Sequence, residues 1–290
     1  MLTTMLNKIL IALFVSTCTF SYGQNDTLKY LFIGHPNKGV QNSDQTDVRL
    51  EMANFSAYKH IWLGGDICGE TSLKSSTIQS ISDLFNLSKP GNHLTYGNHD
   101  IRNGNVEWFK EITGKDPYYA YSEDNGLTVI VLNGLISPLD CDNINKQYWL
   151  IKNVVDTIQS GHLVFLVHTG IYSEVPGVLN PSIYGHSQFD HWRANCFDSA
   201  ATYLNTIYPM LVALELKGVQ VKHIMGDVGA SRKTYYGISD DGVEFFGSGL
   251  NNSYDEIMDG TAILKDSVLL FKHVPEINYL DWEFIPVSDL

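Results

Sequence analysis

Two short turns place metal-binding and proton-transferring residue types near each other in this sequence. The first is a Gly-Gly-Asp turn that ends at Asp66, and the second is the Gly-Asn-His-Asp turn of residues 97–100. A carboxylate and a carboxamide at the ends of two successive apolar runs can share a divalent cation, so we expect Asp66 and Asn98 to be metal ligands. The adjacent His99 is then free to act on a substrate as a general acid, with Asp100 fixing its tautomer. In the alternative interpretation Asp66 and Asn98 only stabilise glycine-rich turns, and His99 is a surface residue.

Three further residues occupy equivalent positions along the chain. His35, His168 and Asp227 also lie at or just past the C-terminal end of an apolar run. Ligands of open α/β sheets bind outside the carboxyl ends of the strands, so we expect these side chains to meet Asp66 and Asn98. Two imidazoles, two carboxylates and one carboxamide are mixed nitrogen and oxygen ligands, which suit Mn, Fe or Zn better than a thiolate site would. The competing interpretations are a buried core histidine for His168 and a helix cap for Asp227.

The elements that must position these residues are predicted from apolar periodicity. Apolar runs predict strands at 28–33, 60–63, 118–121, 127–132, 163–167 and 219–225, then short strands at 243–247, 262–265 and 268–273. Amphipathic stretches predict helices at 44–58, 77–87, 105–113, 146–159 and 200–216. Alternating strands and helices are typical of parallel βαβ units, so we predict an α/β fold. The strand-rich end of the chain indicates a second sheet packed on the first.

The order of these motifs resembles that of a known family. Gly65-Asp66, Gly97-Asn98-His99-Asp100 and His168 match, in type and order, motifs of the calcineurin-like metallophosphoesterases, and the resemblance spans about residues 28–250. It implies an α/β fold in which a two-sheet β-sandwich is flanked by helices. It also implies a dinuclear metal centre at the strand ends.

Both outer motifs depart from the family pattern. Gly34-His35-Pro36-Asn37 stands where the family has Ser-Asp-x-His, and Gly226-Asp227-Val228-Gly229 stands where it has Gly-His-x-His. The resemblance assigns one metal ion to Asp66, Asn98, His168 and Asp227. It assigns the other to His35, Asn37, Asp66 and position 229, where glycine offers no side chain. We therefore expect divalent metal ions (Mn, Fe or Zn), with one firm site and a second that is weak, differently built or absent.

A long polar and aromatic insertion at about 172–196 lies beyond one of the predicted strand ends and is the main candidate for substrate recognition. Arg193 could bind a phosphate oxygen, and Trp192 could stack on a sugar or a base. Arg102 and Tyr96, which flank the central turn, are further candidates. The alternative is a lid that packs on its own aromatic side chains.

Composition limits the partners and the compartment. A formal net charge of −13 argues against a nucleic-acid partner, because affinity for a phosphate backbone depends on Lys and Arg. Residues 1–23 carry one charge, Lys8, followed by an apolar run at 9–15, which is the pattern of a secretory signal peptide. No second apolar stretch is long enough to span a membrane. We predict a signal peptide at 1–23, a single domain at 24–290, and a secreted protein that is periplasmic or extracellular.

The cysteines are consistent with an oxidising compartment. Cys68, Cys141 and Cys196 remain after removal of the signal peptide. We expect a Cys141–Cys196 disulfide, since Cys68 follows Asp66 so closely. Three unpaired, buried cysteines are the alternative.

Together these features predict a metal-dependent phosphoester hydrolase that acts on a small molecule. Water activated by the metal attacks phosphorus, and His99 protonates the leaving oxygen. The aromatic insertion favours a nucleotide or sugar phosphate. The first alternative is a catalytically degenerate relative that acts as a binding or scaffold protein, which the loss of both outer motifs supports. The second is a lyase or an esterase for a non-phosphate ester.

Overall fold

The computed structural model describes residues 26–37, 43–137, 139–170, 175–178, 203–227, 234–250 and 266–290. The strands are β1 (Leu28–Ile33), β2 (His60–Leu63), β3 (His93–Leu94), β4 (Tyr119–Glu123), β5 (Leu127–Val131), β6 (His162–Val167), β7 (Gln220–Met225), β8 (Thr234–Ile238), β9 (Glu244–Ser248), β10 (Ser267–Val274) and β11 (Tyr279–Pro286). The α-helices are α1 (Val48–Glu51), α2 (Ser75–Phe85), α3 (Asn98–Ile101), α4 (Glu107–Thr113), α5 (Cys141–Thr157) and α6 (Tyr208–Glu215). A π-helical segment, Tyr203–Ile207, leads into α6.

The strands form two sheets. The first has five strands in the order β11-β10-β1-β2-β3, and the second has six in the order β4-β5-β6-β7-β9-β8. Parallel pairing joins β1 to β2 and β2 to β3 in the first sheet, and β5, β6, β7 and β9 in the second. Antiparallel strands complete the outer parts of both sheets. The carboxyl ends of the parallel strands therefore meet at one edge of each sheet.

Three apolar clusters define four layers. One cluster lies between the sheets and contains Phe32, Trp62 and Phe246. A second packs α2 and α4 on the outer face of the first sheet, and a third packs α5 and α6 on the outer face of the second. Burial on both faces explains why strands such as β6 are apolar throughout instead of alternating. The predicted fold class, α/β with two sheets flanked by helices, is confirmed.

The two sheets touch at the ends of β1, β2 and β7 through glycine backbone. A β-carbon on Gly226 would lie 1.7 Å from the carbonyl oxygen of Gly64, and one on Gly34 would lie 2.1 Å from the carbonyl oxygen of Ser248. No side chain fits between these backbones, so glycine is required for the strand ends to approach. The residues that follow each strand are thereby brought together across the sandwich.

The predicted helix at 44–58 is wrong. The chain forms only the short α1 and a 3₁₀ turn at Phe55–Ala57, and Asn37 pairs with Thr46 in an isolated β-bridge. Apolar periodicity gave the wrong prediction because Val48 and Met52, which belong to the predicted apolar face, are not buried: they are 55% and 76% exposed. That segment has too little apolar surface to bury as a long helix.

The strand-rich tail does not form a sheet of its own, because β8 and β9 join the second sheet while β10 and β11 join the first. The sequence patterns also missed β3, β8 and β11.

The predicted signal peptide, the strand at 262–265 and most of the insertion at 172–196 lie outside the described residues. Cys141 is disulfide-bonded and Cys68 is a buried free thiol, while Cys196, the predicted partner of Cys141, also lies outside them. Within the part of the chain that the structure describes, no helix has both the length and the apolarity needed to cross a membrane.

Candidate metal centre and its neighbouring histidine

Four of the predicted ligands meet where the two sheets touch. His35 and Asp66 follow β1 and β2 of the first sheet, and His168 and Asp227 follow β6 and β7 of the second. The Nε2 atom of His35 lies 3.1 Å from Asp66 Oδ2 and 3.7 Å from Asp227 Oδ1. The Nε2 atom of His168 lies 3.6 Å from Asp66 Oδ2 and 3.8 Å from Asp227 Oδ1. Each imidazole therefore faces one carboxylate from each sheet.

Local backbone geometry turns these side chains inward. His35 and Asp66 have φ angles of 47° and 52°, the left-handed region that few non-glycine residues occupy. Gly65 has a φ of 84°, and a β-carbon there would lie 2.7 Å from His168 Nδ1. Strained conformations of this kind are retained where surrounding contacts fix them, and they concentrate at functional sites.

Hydrogen bonds to the backbone orient the ligand atoms. His168 Nδ1 donates to the carbonyl oxygen of Gly64 over 2.6 Å, so its Nε2 carries the free lone pair. The side-chain amide of Asn37 donates to the carbonyl oxygen of Asp66 and lies 3.3 Å from His35 Nδ1. Asn37 therefore contacts His35 and the Asp66 backbone. This is a supporting position, in contrast to the ligand role that the resemblance assigned to it.

The donor atoms fit a cation. One ligand atom from each of His35, His168 and Asp227 lies within 4.8 Å of the others. Both Nε2 atoms are buried and have no hydrogen-bond partner of good geometry, although carboxylate oxygens surround them. Buried polar atoms without partners are rare in native proteins, and an ion bound by His35, His168 and Asp227 would satisfy both imidazole nitrogens.

Charge favours a cation at the same point. Burial by itself would lower the pKa of His35, but the charges of Asp66 and Asp227 outweigh it and raise that pKa to about 10. Burial also opposes ionisation of Asp66, yet the imidazoles of His168 and His35 hold its pKa well below the ordinary range. The two carboxylates thus create a strongly negative site whose stability depends on positive charge between them.

The predicted support of His99 by Asp100 is wrong. The Asp100 carboxylate is fully buried and accepts hydrogen bonds from the backbone N–H groups of Asp66, Ile67 and Gly97 at 2.7–2.9 Å, and from the hydroxyl of Thr71. These donors occupy both of its oxygens. Asp100 therefore fixes the turn that carries Asp66, and it makes no hydrogen bond to the imidazole beside it.

His99 itself lies next to the candidate metal centre. Its backbone N–H donates to Asp66 Oδ1 over 2.8 Å, and its ring Nδ1 donates to the carbonyl oxygen of Gly69 over 2.9 Å. A carbonyl oxygen only accepts, so the proton of neutral His99 is on Nδ1 and the Nε2 atom is free. The imidazole is partly exposed, which leaves it accessible to a substrate.

The remaining predicted site residues are the ligand Asn98 and the candidate substrate contacts, and they lie in different surroundings. Asn98 is the first residue of α3, directly before His99, and is partly exposed. Arg102 binds Glu70 and the Gly69 carbonyl oxygen. Tyr96 is 4% exposed and packs on Phe109, so the structure makes it a core residue and not a substrate contact. Arg193, Trp192 and position 229 lie outside the described residues.

Sequence reasoning missed Glu70. Its side chain is 6% exposed and accepts hydrogen bonds from Arg102 and Asn103. Burial opposes its ionisation, but these donors outweigh burial and lower the pKa of Glu70. The only signal in the sequence was its place four residues after Asp66 in a glycine-rich loop.

Comparisons with known proteins give a likeness of fold at low sequence identity. No family profile matches this chain, and no curated protein sequence matches it. The chain is similar to "Structure of PhoD", with a TM-score of 0.46 and 10% identity, covering 86% of this chain and 64% of that one. It is also similar to "Crystal structure of Chaetomium thermophilum Vps29", with a TM-score of 0.34 and 8% identity, covering 89% of this chain and 95% of that one. This chain thus spans 64% of the PhoD chain. A fold hosts many activities, so the function must follow from the chemistry of the site.

Proposed function

We propose that this chain is a metal-dependent phosphoester hydrolase that acts on a small-molecule substrate. One observation carries the proposal: each of two buried imidazole Nε2 atoms lies 3.1–3.8 Å from a carboxylate oxygen of Asp66 and of Asp227, and neither nitrogen has a hydrogen bond of good geometry. Such a set of nitrogen and oxygen donors fits Mn, Fe or Zn. One ligand atom from each of His35, His168 and Asp227 lies within 4.8 Å of the others, and the Asp66 carboxylate faces both imidazoles, which supports one cation per chain.

The residues would divide the chemistry as follows. His35, Asp66, His168 and Asp227 would hold the cation. When bound, a divalent cation polarises a phosphoryl oxygen and lowers the pKa of an attacking water. To act as the general acid, His99 would have to be the imidazolium: Nδ1–H stays on the Gly69 carbonyl, and the second proton, on Nε2, goes to the leaving oxygen. Since the His99 backbone also binds Asp66, the acid and the cation site are fixed in one turn.

The substrate class and the compartment extend this proposal. The net charge of −13 means that an anionic ester needs local positive charge, which a bound cation would supply. A nucleotide or sugar phosphate would suit Arg193 and Trp192 of the insertion. The signal-like pattern of residues 1–23 supports action outside the cytoplasm, in the periplasm or beyond.

Metal content and hydrolysis test the proposal together. Protein purified after expression is analysed for bound metals, then assayed with Mn on p-nitrophenyl phosphate and bis-p-nitrophenyl phosphate. We expect His168→Ala to lose both bound metal and turnover. We expect His99→Ala to keep the metal and to slow turnover by roughly 10²–10⁴-fold, as for loss of a general acid. Asp124→Asn, which changes an exposed carboxylate far from these residues in sequence, is the matched control and should match the wild type.

Three results would count against the proposal. Absence of bound metal together with no turnover under any divalent ion would favour a binding or scaffold protein. Hydrolysis of carboxylic esters alone would favour the esterase. Loss of metal in His99→Ala would show that His99 is a ligand and not an acid.

A further inference from the structure

The carbonyl oxygen of Gly69 receives two donors at once. His99 Nδ1 lies 2.9 Å from it and Arg102 Nη2 lies 3.0 Å from it. The imidazole and the guanidinium are therefore held side by side on one backbone oxygen. The orientation of His99 depends on where this carbonyl points.

Glu70 binds the guanidinium that donates to that carbonyl. Its Oε1 atom accepts from Arg102 Nε at 3.2 Å and Nη2 at 2.8 Å, which is a fork-like contact. The amide of Asn103 donates to both Glu70 oxygens, at 3.1 and 2.9 Å. The carboxylate is nearly buried, so its geometry is well defined. Glu70 thereby ties the loop after β2 to the turn after α3.

Backbone contacts hold the same two segments in register. The N–H of Asn105 donates to the carbonyl oxygen of Ser72, and a β-carbon on Gly104 would lie 2.0 Å from that oxygen. The loop after β2 and the turn after α3 therefore form one unit around His99. Glu70 and Arg102 supply the side-chain support for His99, because both oxygens of Asp100 already accept hydrogen bonds from other groups.

We propose that Glu70 and Arg102 are positioning residues that hold His99, through the Gly69 carbonyl, in the Nδ1–H tautomer with Nε2 toward the substrate. This inference rests on the proposed function for its catalytic meaning. As the general acid, His99 carries a second proton on Nε2, gives it to the leaving oxygen and so returns to the Nδ1–H tautomer. A misplacement of the donor by about 1 Å can cost about 10²-fold in rate. Outer hydrogen bonds of this kind determine the tautomer and direction of an imidazole.

The other use of Arg102, as a phosphate clamp, gives a different pattern. Two of its three guanidinium nitrogens, Nε and Nη2, donate to Glu70 and Gly69, and its charge is paired with the Glu70 carboxylate. A clamp would contribute to substrate binding and would raise KM when removed. A positioning residue would lower kcat and leave KM nearly unchanged.

The test begins with Glu70→Ala, with Glu70→Gln as the conservative variant and Glu111→Gln as an exposed control. Thermal unfolding first establishes that each variant is folded, and Arg102→Ala provides a second route to the same contact. Long-range ¹H–¹⁵N spectra of the histidine rings, assigned with His99→Gln, report the tautomer of His99 in the Zn-loaded protein. We expect one Nδ1–H form in the wild type and Glu111→Gln. In Glu70→Ala we expect a mixture, with partial recovery in Glu70→Gln.

Kinetics give the second readout. On phenyl phosphate, we expect Glu70→Ala to lower kcat by about 10–100-fold with KM within about twofold, as when an outer partner of a catalytic imidazole is lost. The loss should be smaller on p-nitrophenyl phosphate, whose better leaving group needs less protonation. An unchanged His99 tautomer in Glu70→Ala would overturn the inference, and so would a rise in KM with constant kcat. A wild type with the Nδ1–H tautomer but no turnover would refute the hydrolase proposal alone.

Discussion

Asp100 illustrates how one side chain can be necessary to a site without taking part in its chemistry. It is fully buried, and it accepts hydrogen bonds from three backbone N–H groups and one hydroxyl in the turns around Asp66. Each of its two oxygens has two donors. A neutral amide cannot accept on both sides, because its nitrogen would face N–H groups.

Asp100→Asn should therefore destabilise the protein, although the asparagine side chain has nearly the same shape as the aspartate. Leaving buried donors unpaired costs about 1–3 kcal/mol, and the Asp66 turn should loosen with it. Urea unfolding measures the loss, and metal affinity should fall in parallel. The control, Asp83→Asn on the exposed face of α2, should change neither. An Asp100→Asn protein as stable as the wild type would show that the Asp100 carboxylate does not fix this turn.

At the scale of elements, the site is made by strand ends. His35 and Asp66 come from two strands of one sheet, and His168 and Asp227 come from two strands of the other. The close backbone contact between Gly64 and Gly226 sets the distance between these pairs. The geometry of the cation site is thus a property of how the sheets approach.

Gly226→Ala should open that junction. Its methyl group would lie 1.7 Å from the Gly64 carbonyl oxygen, so the strand ends must separate. We expect a loss of about 3 kcal/mol in unfolding free energy, at the upper end for overpacking, and weaker metal binding. Gly218→Ala, at a φ of 85° with open space around it, should cost only about 1–2 kcal/mol of backbone strain and leave metal affinity unchanged. Equal metal affinity in both variants would contradict the role of the junction.

Buried neutral histidines make the second sheet acid-sensitive. His223 on β7 is stacked between Phe165 and Phe245, with ring centroids at 4.4 and 5.1 Å, and its Nε2 pairs with the Tyr203 hydroxyl. Burial lowers the pKa of His223 to about 3, against 6.5 for an unburied imidazole. Between these values the unfolded chain binds a proton that the folded chain does not, so stability falls as the pH falls.

His223→Phe should remove this contribution while preserving the stack of rings. From pH 6.5 to pH 5, one such group removes about 2 kcal/mol of stability, at about 1.4 kcal/mol per pH unit. Urea unfolding of the wild type and the variant at pH 7 and pH 5 measures it. We expect the wild type to lose about 2 kcal/mol more than the variant over this interval. Parallel pH profiles would contradict the assignment.

At the scale of the whole molecule, the candidate metal centre joins the two halves of the sandwich. Each sheet contributes one imidazole and one carboxylate. A cation bound there would link the sheets, and it would relieve repulsion between two buried carboxylates. Binding should therefore stabilise the fold as well as provide chemistry.

Added metal should raise the thermal midpoint of the wild type. At a free concentration of 100 times Kd, a ligand that binds only the folded state adds about 2.7 kcal/mol. Differential scanning fluorimetry with Mn and with chelator measures the shift. His168→Ala should lose the shift, and Asp124→Asn should keep it. A wild type that melts at the same temperature with and without metal would refute binding at this point.

Much of this architecture could be predicted from residue types and their periods. Continuous apolar runs indicated β1, β2, β5, β6 and β7, because strands covered on both faces are apolar throughout. The position of polar residues just after those runs then indicated a common edge, since parallel strands end together. The prediction of a helix at 44–58 was wrong because apolar periodicity reveals an apolar face but does not show whether another part of the protein covers that face.

The sequence by itself determined which side chains stand at the strand ends, and hence that imidazoles and carboxylates would share one edge of the fold. Only the tertiary structure decided their partners. Asp100 is adjacent to His99 in the chain, yet it binds the Asp66 turn, while His99 is held by Gly69, about 30 residues away. A hydrogen bond depends on the distance and direction between two groups in space. The packing of the two loops determines that geometry, and the order of residues along the chain does not.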